Sequence, residues 1–205
     1  MLERVTFAPM LYLISKVFMW LMGWRMNLHG LNPKDFRRAV VLAIPHTSNW
    51  DLPIARAAFY LMGIHVRFTV KKEWMRFPLG LIAAPLGGIA IDRSPKVAGQ
   101  ERKSMTEAMI DLFEQNKEEL AIMITPEGTR SRNDKWKTGF YYLAIGAKVP
   151  IGLGYLDYAN KEAGVGKLIY PSGDIQRDMK EILDFYRNIK GKHPEQFAVD
   201  KTYDL

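Results

Sequence analysis

The residues best suited to proton transfer are an imidazole and a carboxylate, His46 and Asp51, five positions apart. On one continuous helix these side chains would point about 140° away from each other, so they can meet only if His46 lies on a loop and Asp51 begins a helix. Pro45 before them and the polar Ser48 and Asn49 between them predict that arrangement. Asp51 could then accept the Nδ1 proton of His46 and leave Nε2 free as a base.

Two further polar segments carry groups that could bind an anion. Residues 125–131 place an acid, a glycine and a base directly after an apolar run. Gly128 allows a tight turn and the close approach of a ligand, and the planar guanidinium of Arg130 matches a phosphate or a carboxylate. Residues 87–93 end in a second candidate, Arg93. Ordinary explanations stay open for all three segments: a capping aspartate beside a surface histidine, a turn with a local ion pair, and a solvated arginine.

The apolar pattern indicates which elements position these segments. The predicted strands are 26–30, 39–44, 65–70, 88–91, 120–124, 150–155 and 167–170, and the predicted helices are 7–24, 52–62, 75–86, 100–115, 140–147 and 174–190. Alternation of the two predicts an α/β fold, a mixed central sheet with helices packed on it. Ligand sites in such sheets lie beyond the carboxyl ends of strands, which is where the three polar segments fall.

The N-terminal stretch 7–24 is apolar apart from Lys16, and Trp20 lies near its end. A bilayer-spanning helix needs about 20 apolar residues and tolerates a central charge poorly, so this stretch is slightly too short to span. We expect a helix in one leaflet with Lys16 reaching toward the headgroups, and a buried core helix is the alternative. The chain is thus divided into a membrane-contacting helix, 1–25, and a domain, 26–205.

Composition limits the class of protein. Of 205 residues, 48% are hydrophobic and 25% are charged, which excludes a disordered chain. The absence of cysteine excludes disulfides, thiolate metal sites and a cysteine nucleophile. A net charge of +7 suits an anionic lipid surface, a nucleic acid or an acidic protein. The charge is spread along the chain and no nucleic-acid-binding motif is present, so no nucleic-acid partner is expected. The basic stretch 70–76 could face lipid or an acidic carrier protein, or be a solvated surface.

Together the polar segments resemble the motifs of the glycerolipid acyltransferases, the lysophosphatidate acyltransferase-like family. Four motifs occur in the family's order: His46 and Asp51 with Ser48 as His-x4-Asp, Gly87 to Arg93, Pro-Glu-Gly-Thr-Arg-Ser at 126–131, and Val-Pro-Ile at 149–151. The agreement covers about half of the chain. Departures from the family pattern are Pro45, Ala90, Thr125 and Leu153, and these leave the acceptor open.

This resemblance implies transfer of a fatty acyl group from a thioester, acyl-CoA or acyl carrier protein, to the hydroxyl of a lysolipid in membrane lipid synthesis. The expected acceptor is lysophosphatidate or a lyso-aminolipid. The resemblance implies the following roles: His46 and Asp51 catalytic; Arg93, Glu127, Gly128, Thr129 and Arg130 in substrate binding; Ser48 and Pro150 in support. Because a thioester is already activated, no metal and no cofactor are expected.

The expected location is the cytoplasmic face of the inner membrane, peripheral or monotopic, and the oligomeric state is not indicated. Two other functions stay open. The first is a non-catalytic peripheral lipid-binding protein. The second is a metal-dependent hydrolase, with His46, Asp51, Asp92 and Glu127 as ligands. The hydrolase is the less favoured of the two, since two arginines beside these carboxylates would oppose a metal ion.

Overall fold

The computed structural model describes residues 9–70, 75, 84, 87–91 and 103–203. The helices in this part of the chain are α1 Pro9–Leu21, α2 Asp51–Leu61, α3 Met105–Gln115, α4 Gly139–Ala147 and α5 Ile175–Tyr186, with 3-10 turns at Pro33–Phe36 and Pro194–Gln196. The strands are β1 Arg25–Asn27, β2 Arg38–Ile44, β3 Val66–Val70, β4 Gly88–Ala90, β5 Leu120–Ile124, β6 Ile151–Asp157 and β7 Glu162–Ile169. Arg93, most of the predicted helix 75–86 and most of the basic stretch 70–76 lie outside the described residues.

The seven strands form one sheet in the order β1-β7-β6-β2-β5-β3-β4. Neighbouring strands are parallel except for the antiparallel pair of β6 and β7. The prediction of a mixed sheet with helices on it is therefore confirmed. Because β2, β3, β4, β5 and β6 run in the same direction, their carboxyl ends share one edge of the sheet, here called the carboxyl edge.

The centre of the sheet is buried on both faces, as its continuous apolar runs predict. Val40, Val41 and Leu42 of β2 are fully buried, and their side chains alternate between two hydrophobic clusters. Helices α3, α4 and α5 cover the face of Val40 and Leu42, whereas α1 and α2 cover the face of Val41. This packing gives the loops at the carboxyl edge a rigid base.

Strand β7 is the largest departure from the predicted elements, since it begins at Glu162 rather than at residue 167. Its first five residues include two glycines and lack the apolar alternation that marks a strand in sequence. It is a strand because β6 pairs with one of its edges and β1 with the other. Gly164 is needed for the second pairing, because a Cβ there would overlap the carbonyl oxygen of Asn27.

Helix α1 is neither fully buried nor fully exposed. Ser15 and Met19 are buried, and α1 packs against α2 through the cluster that contains Met19 and Trp24. The opposite side remains apolar and exposed, with Trp20 at 76% and Leu21 at 70%. Within the described part of the chain, no helix combines the length and apolar character that crossing a bilayer requires. Membrane contact by α1 and the division of the chain at residue 25 stay predictions.

Candidate active site

Two polar loops emerge side by side at the carboxyl edge because the strands before them are neighbours. Strands β2 and β5 pair in parallel, with Leu42 opposite Ile124. The chain leaves β2 into residues 45–50 and leaves β5 into residues 125–131. The sheet register therefore brings together two segments that lie about eighty residues apart in sequence.

His46 and Asp51 are in contact. Nδ1 of His46 lies 3.2 Å from Oδ2 of Asp51, and α2 begins at Asp51, so the loop-then-helix arrangement holds. Asp51 is buried, whereas about a quarter of the His46 side chain is exposed. This contact favours the tautomer with the proton on Nδ1, which leaves Nε2 as the basic nitrogen. Among the described residues no hydrogen bond engages Nε2.

The Asp51 carboxylate organises the loop that carries His46. Oδ2 accepts hydrogen bonds from the backbone N–H groups of Thr47 and Ser48, each at 2.8 Å. Oδ1 accepts one from the hydroxyl of Tyr158 at 2.6 Å. Ser48 and Asn49 were expected to mark the start of α2, but the N-cap residue is Trp50, whose side chain forms no capping hydrogen bond. Ser48 contacts the site through its backbone N–H, which donates to Asp51. The hydroxyl of Ser48 accepts a hydrogen bond from the backbone N–H of Trp50 at 3.2 Å, so it serves the turn before α2 rather than the helix itself.

Glu127 holds His46 from the other side. Its Oε1 accepts a hydrogen bond from the backbone N–H of His46 at 2.8 Å, and its side chain is buried. Burial raises the pKa of Glu127 to about 7, against the opposing effect of the His46 hydrogen bond. The resemblance implied that Glu127 binds substrate, and this stays a prediction. Its observed partner is the protein's own backbone, so it acts first as a positioning residue for His46.

Changing Glu127 to Gln should alter how stability depends on pH. The folded-state pKa of about 7 lies above the ordinary value of 4.5, so the folded protein binds more protons between these pH values and loses stability as pH rises through this window. That loss amounts to roughly 3 kcal/mol by the conversion of pKa differences. The carboxamide introduced by Glu127→Gln keeps an acceptor oxygen for His46 but has no proton to lose. Urea unfolding at pH 5 to 8 should show the variant gaining on the wild type as pH rises.

The control for this experiment is Glu114→Gln, a change of an exposed glutamate at the end of α3. Its free energy of unfolding should follow that of the wild type across the same pH range. A constant difference between Glu127→Gln and the wild type at every pH would contradict the burial of an ionisable Glu127.

A cavity of about 500 Å³ opens at the carboxyl edge beside His46 and Asp51. Helix α2 on one face of the sheet and helix α3 on the other both contribute to its wall. Most of the lining is apolar: Ala43, Leu52, Ala55, Phe68, Met105, Met109, Met123, Ile124 and Leu156. The site therefore combines a base at the edge of the sheet with a largely apolar cavity next to it.

Lys137 lines the same cavity, and sequence reasoning assigned it no chemistry. Gly128, which also lines the cavity, has a φ of +68°, and a Cβ there would lie 2.8 Å from Nζ of Lys137. The positive φ favours glycine at this turn, and the side chain of Lys137 lies directly over it. Among the described residues the Lys137 ammonium has no carboxylate partner.

Other predicted site residues lie apart from the cavity. Thr129 and Arg130 are exposed and are not among its lining residues, and Thr129 Oγ1 accepts a hydrogen bond from the Ser131 N–H. Pro150 precedes β6, and its carbonyl accepts a bond from Val40 N–H at 2.9 Å. Since Val40 is near the start of β2, the structure places Pro150 at the opposite edge of the sheet. The expectation that Pro150 supports the site directly is therefore wrong. Pro150 lies far from the polar loops and can influence them only by fixing the start of β6.

The segment after α5 forms hydrogen bonds with both polar loops, 45–50 and 125–131, although it contains no recognisable sequence motif. With its amide nitrogen turned toward two carbonyls, Gln196 donates to Thr47 O at 3.2 Å and to Arg130 O at 2.9 Å. The backbone N–H of His193 donates to Oγ1 of Thr47, and a Cβ on Gly191 would lie 2.8 Å from that oxygen. These partners are separated by more than sixty residues, so local sequence holds no signal for them.

The arrangement can remove a proton from a hydroxyl group brought to Nε2 of His46. Within residues 9–70, 75, 84, 87–91 and 103–203, no three His, Asp or Glu side chains are grouped so as to hold a metal ion. Both oxygens of Asp51 and one of Glu127 already accept hydrogen bonds from the protein. Such carboxylates are poorly prepared for metal coordination, whereas they are well placed to orient an imidazole.

Both polar loops lie within the region that is similar to known proteins: residues 25–152 match the family model described as Acyltransferase. A 1-acyl-sn-glycerol-3-phosphate acyltransferase from Limnanthes douglasii is 33% identical over 147 residues, 68% of this chain and 48% of that protein. One of the same name from Cocos nucifera is 28% identical over 148 residues, 68% of this chain and 44% of that protein. The chain spans about half the length of these curated relatives.

The fold is also similar to a solved structure, the 1-acyl-sn-glycerophosphate (LPA) acyltransferase, PlsC, from Thermotoga maritima. The TM-score is 0.57 with 16% sequence identity, over 86% of this chain and 75% of that chain. At this identity the similarity shows that the two share a fold.

Proposed function

Because the chain belongs to the Acyltransferase family, which confirms the resemblance read from its motifs, we propose that it transfers a fatty acyl group from a thioester to the hydroxyl of a lysolipid. The acceptor we propose is lysophosphatidate, and the relatives named as 1-acyl-sn-glycerol-3-phosphate acyltransferases support this choice. The donor is acyl-CoA or acyl carrier protein. The observation that carries the proposal is the contact between His46 and Asp51 at the mouth of an apolar cavity.

The chemistry requires a base because a protonated alcohol is a weak nucleophile. Nε2 of His46 takes the hydroxyl proton as the oxygen attacks the thioester carbonyl, and Asp51 stabilises the imidazolium that forms. Collapse of the tetrahedral intermediate forms the ester bond and breaks the carbon–sulfur bond. The proton on His46 then passes to the departing thiolate, so the free thiol leaves and the base is regenerated.

The apolar cavity supports binding of a hydrocarbon chain. Leu52, Met109 and Met123 reach it from α2, α3 and β5. Methionine side chains are flexible and fill irregular space, which suits a ligand without polar groups along its length. We assign this cavity to the acyl chain that is transferred.

Lys137 supports recognition of an acidic headgroup. It lines the cavity that His46 lines, and it lies over Gly128, the neighbour of the residue that holds His46. In lysophosphatidate the reacting hydroxyl and the phosphate are carried by neighbouring carbons, whereas in acyl-CoA the whole pantetheine arm separates the diphosphate from the thioester. A cation in the same cavity as the base therefore suits the acceptor phosphate better than the donor. Arg93 and Arg130 stay proposed as further anion-binding groups.

The proposal is tested with one acyl thioester and a panel of lysolipids, with products identified by mass. The wild type should acylate lysophosphatidate. The variant Lys137→Gln should raise the KM for lysophosphatidate about 10- to 100-fold, since a charge-assisted hydrogen bond is lost, and leave the KM for the thioester unchanged. The matched control is Lys135→Gln, an exposed lysine of the same loop that does not line the cavity.

Other outcomes of the panel would contradict the proposal. Lysolipid binding without acylation would identify a non-catalytic lipid-binding protein. Fatty acid release that EDTA abolishes would identify a metal-dependent hydrolase. Equal KM values for Lys137→Gln and Lys135→Gln would exclude Lys137 from the headgroup site.

We propose further that α1 lies in one leaflet of a membrane, with the protein on the cytoplasmic face of the inner membrane, where acyl-CoA and acyl carrier protein are found. The support for this is the exposed apolar side of α1, which faces away from α2. Such a surface favours the boundary between headgroups and acyl chains, and tryptophan favours it as well.

Replacing Leu13 and Trp20 together with Ser should lower binding to phosphatidylglycerol-containing vesicles about 10-fold or more, because two large apolar side chains leave the lipid. Both side chains are at least 60% exposed, so the change should not disturb the core. The control is Tyr170→Ser, at a tyrosine that is 71% exposed outside α1. Equal flotation of the double variant, the control and the wild type would place the membrane contact elsewhere.

A further inference from the structure

Tyr158 donates the shortest of the described hydrogen bonds to Asp51. Its hydroxyl lies 2.6 Å from Oδ1, the oxygen that does not face His46. The other oxygen, Oδ2, accepts from the two backbone amides and lies 3.2 Å from Nδ1 of His46. The two oxygens thus have separate partners, and Tyr158 is the group that keeps Oδ1 turned away from the imidazole.

Tyr158 is itself held in place. Its ring meets the ring of Trp24 edge to face, with centroids 4.9 Å apart at 89°. Nζ of Lys161 lies over both rings, at 5.4 Å from Trp24 and 5.9 Å from Tyr158. The backbone N–H of Tyr158 donates to the carbonyl of Lys190 at 2.9 Å. A side chain fixed by packing on several sides can transmit orientation to the carboxylate it contacts.

The hydroxyl of Tyr158 acts as the donor in its hydrogen bond to Asp51. Burial, together with the hydrogen bond to Asp51 and its negative charge, raises the pKa of Tyr158 well above its ordinary value. The phenol therefore keeps its proton, and Asp51 keeps its partner.

We propose that Tyr158 is a positioning residue for acyl transfer, which orients the Asp51 carboxylate so that its Oδ2 holds the Nδ1 proton of His46. This assignment rests on the proposed function. Tyr158 lies beyond residues 25–152, so it is outside the region that the family model matches. Its position in space follows from β6, which runs beside β2 and ends next to the loop of His46.

The test is Tyr158→Phe, which removes one oxygen and keeps the ring against Trp24. We expect kcat for acyl transfer to fall about 10-fold, because Asp51 retains its two backbone donors while its orientation is loosened. The KM values for lysophosphatidate and for the thioester should stay unchanged, since Tyr158 does not line the cavity. The matched control is Tyr155→Phe, a buried tyrosine on β6 whose hydroxyl contacts Glu162 and His29 instead. Its kcat should remain within about 2-fold of the wild type.

A second measurement does not depend on activity. The chain has four histidines, so the ¹⁵N and ¹H signals of the His46 ring can be assigned by their loss in His46→Gln. The wild type and Tyr155→Phe should show a proton on Nδ1, held by Oδ2 of Asp51. In Tyr158→Phe the Nδ1–H signal should shift and exchange faster with water.

The outcomes are distinguishable. An altered His46 signal in Tyr158→Phe alone supports the positioning role, even if the panel of lysolipids shows no acylation and the proposed function fails. An unchanged His46 signal overturns the role. A kcat equal to that of the wild type overturns it as well, as does an equal loss of kcat in Tyr158→Phe and Tyr155→Phe.

Discussion

Replacing His46 with Ala should lower kcat for acyl transfer by about 10³-fold, because the hydroxyl of the acceptor then has no base to receive its proton. The fold should survive the change. The hydrogen bond from His46 to Glu127 comes from the backbone N–H, which alanine keeps. The imidazole is partly exposed, so its removal leaves no closed cavity in the core.

The matched control is His65→Ala. His65 also contacts a carboxylate, with its Nδ1 3.0 Å from Oε1 of Glu119. It precedes β3, so it lies at the edge of the sheet opposite to the carboxyl edge. Transfer rates are measured by thiol release with lysophosphatidate, and folding by circular dichroism. If His46→Ala kept most of the activity of His65→Ala, the assignment of His46 as the base would be wrong.

Asp51→Asn should lower kcat by about 10²- to 10³-fold, and the structure indicates which property is lost. The carboxamide oxygen can still face the amides of Thr47 and Ser48 and Nδ1 of His46, because its nitrogen can face Tyr158, whose hydroxyl oxygen can accept a hydrogen bond. The tautomer of His46 is then retained. The negative charge that stabilises the imidazolium during attack is lost, and we attribute the fall in kcat to this loss.

The change should also cost about 1 to 2 kcal/mol of stability, since the backbone N–H groups of Thr47 and Ser48 lose a charged acceptor and the first turn of α2 loses a negative charge. Asp178→Asn is the control for this effect. Asp178 is a buried aspartate in the first turn of α5 that accepts from Tyr141 and Ser172. It should lose similar stability in urea unfolding and keep its kcat. Equal losses of kcat in both variants would show that Asp51→Asn acts through folding rather than through His46.

The sequence alone predicted the central strands of the sheet and the pairing of His46 with Asp51. Apolar runs such as 39–44 and 120–124 form strands because both of their faces are buried, and this burial is visible in the residue types themselves. His46 and Asp51 could be paired because a proline ends one element and the acid begins the next. Each of these signals is contained within one strand or one helical turn.

The rest of the site depended on contacts between distant parts of the chain. For Glu127 the resemblance implied substrate binding, which stays a prediction, and only the pairing of β2 with β5 shows that it also holds the backbone of His46. Tyr158 and Gln196 reach Asp51 and Thr47 from more than a hundred residues away, and neither belongs to a motif. Lys137 was left without a role because its sequence neighbours do not reveal that it lies over Gly128.

The difference has one physical cause. The spacing of apolar residues within one segment indicates which faces will be buried and which backbone conformation is favoured, so residue types and spacing were enough to predict the α/β class, the central strands and the loop that holds His46 against Asp51. The hydrogen bonds from Glu127 and Tyr158 that orient these groups come from loops that follow β5 and β6, and the order of strands in the sheet places those loops beside the loop of His46. Only the tertiary structure decided that order, and with it the supports of Asp51 and the cation beside the cavity.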